Sequence, residues 1–107
     1  MLKKFDIIKV SISHSDEEKF ERPAMLILDE SENFSYIQAC LITANFSPKY
    51  NLDIALNDYF EMGLPTKCFL RVQKIICIDK NLINTKVGEL PYDLREVFDK
   101  RLKEFLL

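Results

Sequence analysis

The first part of the chain consists of apolar runs of strand length separated by polar segments. Residues Phe5 to Ile12 alternate with a period close to two, and residues 24–28 form a continuous apolar run. Each pattern predicts one β-strand. The segment between them, residues 13–22, is polar and acidic. We therefore predict two strands joined by a loop.

Three more segments have the composition of strands. Tyr36 to Thr43 is rich in β-branched and aromatic residues, and Leu52 to Leu56 is short and alternating. Residues 66–79 form either two strands that meet at Gln73 and Lys74 or one long strand that bends there, and we favour the bent strand.

The end of the chain has helical periodicity. Pro91 precedes a segment whose apolar residues recur every three to four positions, which predicts an amphipathic helix. These residues are Leu94, Val97, Phe98, Leu102, Phe105 and Leu106. Strands joined by short turns and followed by one helix are typical of a small antiparallel sheet or barrel capped by that helix.

Composition limits the classes of function. The 107 residues are 48% hydrophobic and 30% charged, which fits one domain spanning 1–107. With only two glycines, the chain contains no glycine-rich phosphate-binding motif. A formal net charge of -2 argues against nucleic-acid binding through bulk positive charge. A polyanion site must therefore be local.

The three cysteines lie far apart in the sequence and there is only one histidine. Neither a disulfide framework nor a zinc site is supported, and we interpret the cysteines as small apolar core residues. No secretion signal or membrane-spanning segment is recognisable. We expect a cytoplasmic protein that holds no metal and does not enter the membrane.

Three polar residues occupy positions that the fold alone does not require. Arg22 stands where the acidic segment meets the apolar run, and Thr43 ends a strand. Taken alone, Arg22 is adequately explained as a solvated arginine, and Thr43 as a β-branched residue at the end of a strand. Arg71 is expected on an exposed strand face with Phe69 and Gln73, where a cation beside an aromatic ring can bind a base and its phosphate.

The order of several short motifs resembles the MazF/PemK toxins, the RNA-cleaving half of bacterial toxin–antitoxin pairs, over roughly Phe5 to Phe105. The motifs are individually weak but collinear: Asp6-Ile7, Arg22-Pro23-Ala24, Leu41-Ile42-Thr43-Ala44, Gly63-Leu64, Leu70-Arg71-Val72 and Val87-Gly88-x-Leu90. The resemblance implies a mainly β fold, an SH3-like small barrel of the MazF/CcdB kind with a C-terminal amphipathic helix.

The resemblance also implies the chemistry. Arg22 and Thr43 correspond to the family's catalytic pair, which cleaves single-stranded RNA sequence-selectively without metal or cofactor. The 2′-hydroxyl attacks the adjacent phosphorus and leaves a cyclic phosphate and a 5′-hydroxyl. Candidate substrate-binding residues are Arg71, Gln73, Asn45, Lys49 and Lys19.

Family partners are a second copy of the chain and an antitoxin whose acidic, disordered tail occupies the RNA-binding cleft. Three departures keep an alternative open. Phe5 stands where glycine is usual, Gln73 where some members have a catalytic acid, and residues 13–21 differ from the family's loop. The alternative is a non-catalytic MazF/CcdB-like interaction module that inhibits a protein target or has lost nuclease activity.

Overall fold

The computed structural model describes residues 1–15, 18–44 and 50–107, with the side chains of residues 12–20 left out. It contains six strands, a short 3₁₀ helix at Lys80–Leu82 between the last two strands, and a C-terminal α-helix. These elements are β1 (Asp6–Ser15), β2 (Glu18–Leu26), β3 (Tyr36–Thr43), β4 (Ile54–Leu56), β5 (Cys68–Asp79), β6 (Ile83–Glu89) and α1 (Tyr92–Leu106).

The strands form one antiparallel sheet in the order β4-β5-β3-β2-β1-β6. The mainly β architecture with a C-terminal helix is confirmed. The predicted bounds of β3 agree with the structure, and β4 is shorter than the predicted 52–56.

The predicted loop at 13–22 is wrong. β1 continues to Ser15 and β2 begins at Glu18, and the two strands are paired out to that end. A hairpin of this kind is held by backbone hydrogen bonds and needs no apolar face at its outer end, so polar composition does not prevent it. The acidic segment therefore extends the sheet.

Two other strand predictions need correction. β2 ends at Leu26, and Leu28, the last residue of the predicted strand, is 57% exposed. β6 was missed altogether. It lies at the edge of the sheet beside β1 and carries no fully buried residue, so its sequence lacks the apolar pattern that marks a half-buried strand.

β5 is one strand with a bend, as predicted. Cys40 of β3 pairs with Ile75, whereas Ile42 pairs with Leu70. Residues 71–74 therefore lie opposite Leu41 alone. Such an insertion disrupts the ladder and redirects the side chains of the bulged strand.

The helix packs against the larger of two buried clusters. Phe98 is fully buried there, and Leu94, Val97 and Leu102 pack against the same cluster. Phe105 and Leu106, which the periodicity assigned to the apolar face, are 40% and 63% exposed. The other cluster contains Ile8, Val10, Ala24, Leu26, Ile37, Ala39 and Ile78.

Phe5 has a positive φ of 77°, although the side chain of an L-residue disfavours this region by about 1–2 kcal/mol. Its ring packs edge-on against Phe98, with centroids 6.0 Å apart, and the guanidinium of Arg95 lies 4.9 Å from the ring centroid. This packing offsets the cost of the positive φ at Phe5, a position where the family that the sequence resembles usually has glycine.

The two glycines bring the segment before β5 against β6. A Cβ on Gly63, whose φ is +77°, would lie 2.1 Å from the carbonyl oxygen of Val87. A Cβ on Gly88 would lie 2.2 Å from the carbonyl oxygen of Met62. Only glycine allows this approach without displacing backbone, and the approach determines where the residues that follow Gly63 lie.

The cysteines are not all core residues. Cys40 and Cys68 are buried as expected, but Cys77 is exposed because it lies on the opposite side of β5 from the buried Ile78.

Candidate active site

Arg22 lies in β2 opposite Val10 of β1, and its side chain is exposed. Two residues later, Ala24 begins the buried part of the strand. The backbone of Arg22 is therefore held by the sheet while its guanidinium can reach a ligand.

Arg22 lines a cleft of about 210 Å³. β1 and β2 supply one side of the cleft, and the end of β3, the segment after Gly63 and the start of β5 supply the other. The lining residues are Lys9, Glu21, Arg22, Pro23, Ile42, Ala44, Leu64, Pro65, Thr66 and Cys68. The residues that line the cleft include two cationic residues, one acidic residue and several apolar ones.

Thr43 is the last residue of β3, half-buried, with Phe69 of β5 as its pairing partner. β2 and β3 pair Ala24 with Leu41, and the ladder ends at that pair, so Arg22 and Thr43 each lie two residues beyond it. Thr43 is not among the described residues lining the cleft, although its neighbours Ile42 and Ala44 are.

Arg71 does not lie on an exposed strand face, so this prediction is wrong. It is 8% exposed, and its Nε lies 3.9 Å from Oδ2 of Asp53. Its guanidinium is 4.8 Å from the ring centroid of Tyr50, and the Lys74 ammonium is 5.7 Å from the same centroid. The bend in β5 turns this stretch away from the regular alternation that the prediction assumed.

Asp53 is held by a turn and by the helix. The backbone amide of Tyr50 donates to Oδ2 of Asp53 at 3.2 Å, and Arg101 of α1 donates to the Asp53 carbonyl oxygen at 2.6 Å. Among the described residues, Oδ1 of Asp53 and Oε1 of the half-buried Gln73 have no hydrogen-bond partner. A buried carboxylate of this kind depends on the nearby arginine for compensation of its charge.

The remaining predicted substrate-binding residues lie outside the described part of the chain. They are Asn45, Lys49 and the side chain of Lys19.

Sequence reasoning missed the carboxylate in the cleft and the segment that closes it. The amide of Asn84 on β6 donates to Oε1 of Glu21 at 3.1 Å and to Oγ of Ser11 at 2.8 Å. Glu21 could have been noted from its position next to Arg22. The segment 64–66, which closes the cleft, is harder to find from the sequence, because Gly63 and Pro65 indicate only that a turn lies there.

In the described part of the chain, no three histidine, cysteine, aspartate or glutamate residues are grouped to hold a metal ion. The two buried thiols are not activated nucleophiles, since burial raises the pKa of Cys40 to about 12 and also raises that of Cys68. Within the described ranges, no helix is both long and apolar enough to cross a membrane.

A family model described as PemK-like, MazF-like toxin of type II toxin–antitoxin system matches residues 3–106. The chain belongs to this toxin family. No curated protein sequence matches it. Among solved structures, a MazE–MazF complex from Deinococcus radiodurans superimposes with a TM-score of 0.76 and 17% identity, covering 97% of this chain and 94% of that one.

Two further toxin structures share the fold. An endoribonuclease in complex with its cognate antitoxin from a mycobacterial species has a TM-score of 0.73 and 13% identity, covering 99% of this chain and 95% of that one. The Mycobacterium tuberculosis toxin MazF-mt6 has a TM-score of 0.73 and 10% identity, covering 94% and 95%. At these identities the similarity establishes the architecture.

Proposed function

We propose that this member of the PemK/MazF toxin family is a metal-independent, sequence-selective endoribonuclease that cleaves single-stranded RNA through attack by the substrate's own 2′-hydroxyl. The observation that carries the proposal is the placement of Arg22. It is an exposed guanidinium rooted in the sheet, it borders a cleft, and, like Thr43, it lies two residues beyond the last β2–β3 pair.

Attack by the 2′-hydroxyl on phosphorus forms a phosphorane with additional negative charge. A planar guanidinium donating paired hydrogen bonds stabilises such charge, so Arg22 binds the phosphorane and then supplies a proton to the leaving 5′-oxygen. Arginine is a poor proton acceptor, so the 2′-hydroxyl proton passes to solvent water, and solvent restores the proton that Arg22 gives to the leaving oxygen. Thr43 orients the attacking hydroxyl or a non-bridging oxygen.

The nucleophile belongs to the substrate, so DNA is inert. The protein acts in the cytoplasm as a homodimer. Its inhibitor is a cognate antitoxin whose acidic, disordered tail folds onto the cationic groove that binds RNA. The antitoxin complexes among the structural relatives support this partner.

The proposal is tested by incubating purified protein with a long RNA in EDTA and by comparing wild type with Arg22→Ala and Thr43→Ala. Exposed residues away from the cleft provide matched controls, Lys100→Ala and Ser35→Ala. We expect cleavage in EDTA, a large loss of activity in Arg22→Ala and in Thr43→Ala, and no loss in the controls. Cleavage that EDTA abolishes, or that survives both Arg22→Ala and Thr43→Ala, contradicts the mechanism.

One observation favours the alternative, an interaction module without nuclease activity. Arg71 is 8% exposed and lies beside Asp53, which leaves it poorly placed to bind a phosphate. An absence of RNA cleavage by the wild type, together with growth arrest on expression, would select this alternative.

A further inference from the structure

The cleft beside Arg22 contains a carboxylate, Glu21, that a site for RNA phosphates does not need. Glu21 and Arg22 are neighbours in β2, and both line the cleft together with Lys9; the regular ladder directs Glu21 to the same face as Lys9 and Pro23, and Arg22 to the other face. A carboxylate repels phosphate oxygens, so its place next to the proposed phosphate-binding arginine requires another explanation.

The Glu21 carboxylate is oriented from two neighbouring strands. Asn84 of β6 donates to Oε1 of Glu21 at 3.1 Å, and the Asn84 amide also contacts Ser11, which lies directly opposite Glu21 in the β1–β2 pair. A carboxylate has about four acceptor positions, and this contact occupies one of them. The exposed Glu21 carboxylate therefore keeps acceptor positions open at the rim of the cleft.

The remaining wall is suited to a flat, uncharged group. Pro23, Leu64 and Pro65 supply apolar surface, and Thr66 supplies a hydroxyl. The volume of about 210 Å³ is below the roughly 300–1,000 Å³ of pockets that enclose drug-sized ligands, which limits the occupant to about one planar ring system.

We propose that this cleft is a nucleobase subsite and that Glu21 selects guanine at the nucleotide next to the phosphate bound by Arg22. The inference rests on the proposed ribonuclease function. Guanine presents two adjacent donors, N1–H and the N2 amino group, which match the two oxygens of one carboxylate. Adenine and cytosine present an amino group beside an acceptor nitrogen, and uracil presents one N–H between two carbonyl oxygens, so each places an acceptor against Glu21.

The expected selectivity follows from this pairing. A bidentate contact between a side chain and a base edge discriminates against other bases by about 5- to 150-fold. The lysine and arginine of the cleft bind the flanking backbone and contribute affinity without base preference.

The test uses a set of RNA oligonucleotides that differ only at one nucleotide, which is guanine, inosine, adenine, cytosine or uracil. Inosine lacks only the N2 amino group. We expect wild type to cleave the guanine oligonucleotide with a kcat/KM about tenfold above that of the inosine form. Glu21→Gln should remove this difference, because an amide presents a donor in place of one carboxylate oxygen.

Glu32→Gln, an exposed acid in the turn between β2 and β3, is the matched control and should leave the guanine preference unchanged. Sequencing the 5′ ends of cleaved cellular RNA should show guanine enriched next to the cut for wild type and for Glu32→Gln but not for Glu21→Gln. Cleavage without a guanine preference, or a preference that survives Glu21→Gln, overturns the subsite and leaves the ribonuclease proposal intact.

A binding measurement separates the two proposals. Oligonucleotides with a 2′-deoxy nucleotide at the cut site cannot react, and fluorescence anisotropy reports their affinity. Guanine-dependent binding that Glu21→Gln abolishes supports the subsite even if the protein cleaves no RNA. Equal binding of the guanine and inosine oligonucleotides contradicts it.

Discussion

The two arginines singled out in the sequence lie in opposite environments. Arg22 is exposed at a cleft, in the part of the β1–β2 hairpin that continues beyond the core. Arg71 lies at the bend of β5, 8% exposed, with Asp53 and Tyr50 against its guanidinium. Arg22 precedes an apolar run and Arg71 interrupts one, yet only Arg22 is placed to meet a substrate.

The difference shows that the environment of a charged side chain in a strand can be assigned only when the pairing register of that strand is known. At Arg22 the ladder is regular and the strand leaves the core, so the side chain reaches solvent. At Arg71 the ladder is interrupted, and the strand turns the guanidinium towards a buried carboxylate. We therefore expect Arg22 to control activity and Arg71 to control stability.

The largest effect is expected at Arg22. Arg22→Ala should lower kcat/KM by about 100- to 1,000-fold, the range for removal of one transition-state hydrogen-bond donor. The free energy of unfolding should change by less than about 0.5 kcal/mol because the side chain is exposed. RNA cleavage assays and urea denaturation measure the two quantities. Arg22→Lys should restore little activity, since an ammonium lacks the planar pair of donors. If Arg22→Ala lowers stability as strongly as activity, the distinction between an arginine that controls activity and one that controls stability is wrong.

Arg71→Ala should act on stability. It leaves the Asp53 carboxylate, whose side chain is 6% exposed, without the guanidinium beside it. Breaking a buried ion pair in this way costs about 3 kcal/mol, measurable by urea denaturation. The double variant Asp53→Asn/Arg71→Met should lose less than the sum of its two single variants, because no uncompensated charge remains. Additive losses would show that the two side chains are not coupled.

Gly88→Ala should change the shape of the cleft more than it changes the bend in β5. The added Cβ meets the Met62 carbonyl oxygen at 2.2 Å, so the segment leading to Leu64 must move away from β6. We expect a loss of about 1–3 kcal/mol in urea denaturation and a fall in cleavage rate even where the protein is fully folded. Ser35→Ala, in the exposed segment before β3, is the control and should change neither quantity. If folded Gly88→Ala cleaves RNA at the wild-type rate, the contact between Gly88 and Met62 does not determine the geometry of the cleft.

The cysteines offer a smaller, local readout of the bend. At pH 8 a thiol reagent should label the exposed Cys77 rapidly and leave Cys40 and Cys68 unreacted, because only the thiolate reacts and burial holds the pKa of Cys40 at about 12. The Cys40 thiol donates to the Val72 carbonyl oxygen at 3.7 Å, within the bend. Arg71→Ala should therefore speed labelling of Cys40, whereas Arg22→Ala should not. Equal labelling of Cys40 in both variants would show that the bend does not depend on Arg71.

Several features were predictable from local pattern. The β3 strand and the C-terminal helix bury one face each, and burial imposes a period that the sequence must show. The bend in β5 was also predictable, since Gln73 and Lys74 interrupt an apolar run that is too long for one regular strand. β6 was not predictable, because an edge strand without fully buried residues needs no apolar period.

The sequence by itself determined the family, the strand-rich architecture and the identity of Arg22 and Thr43 as candidates, because these depend on residue order and on periodic burial. Tertiary structure alone decided that the acidic segment pairs as a hairpin, that Arg71 is buried beside Asp53, and that Glu21 shares a cleft with Arg22. The physical reason is that side-chain environment depends on the register between strands that are distant in sequence. A single shift in that register, as at the bend of β5, redirects every side chain it contains.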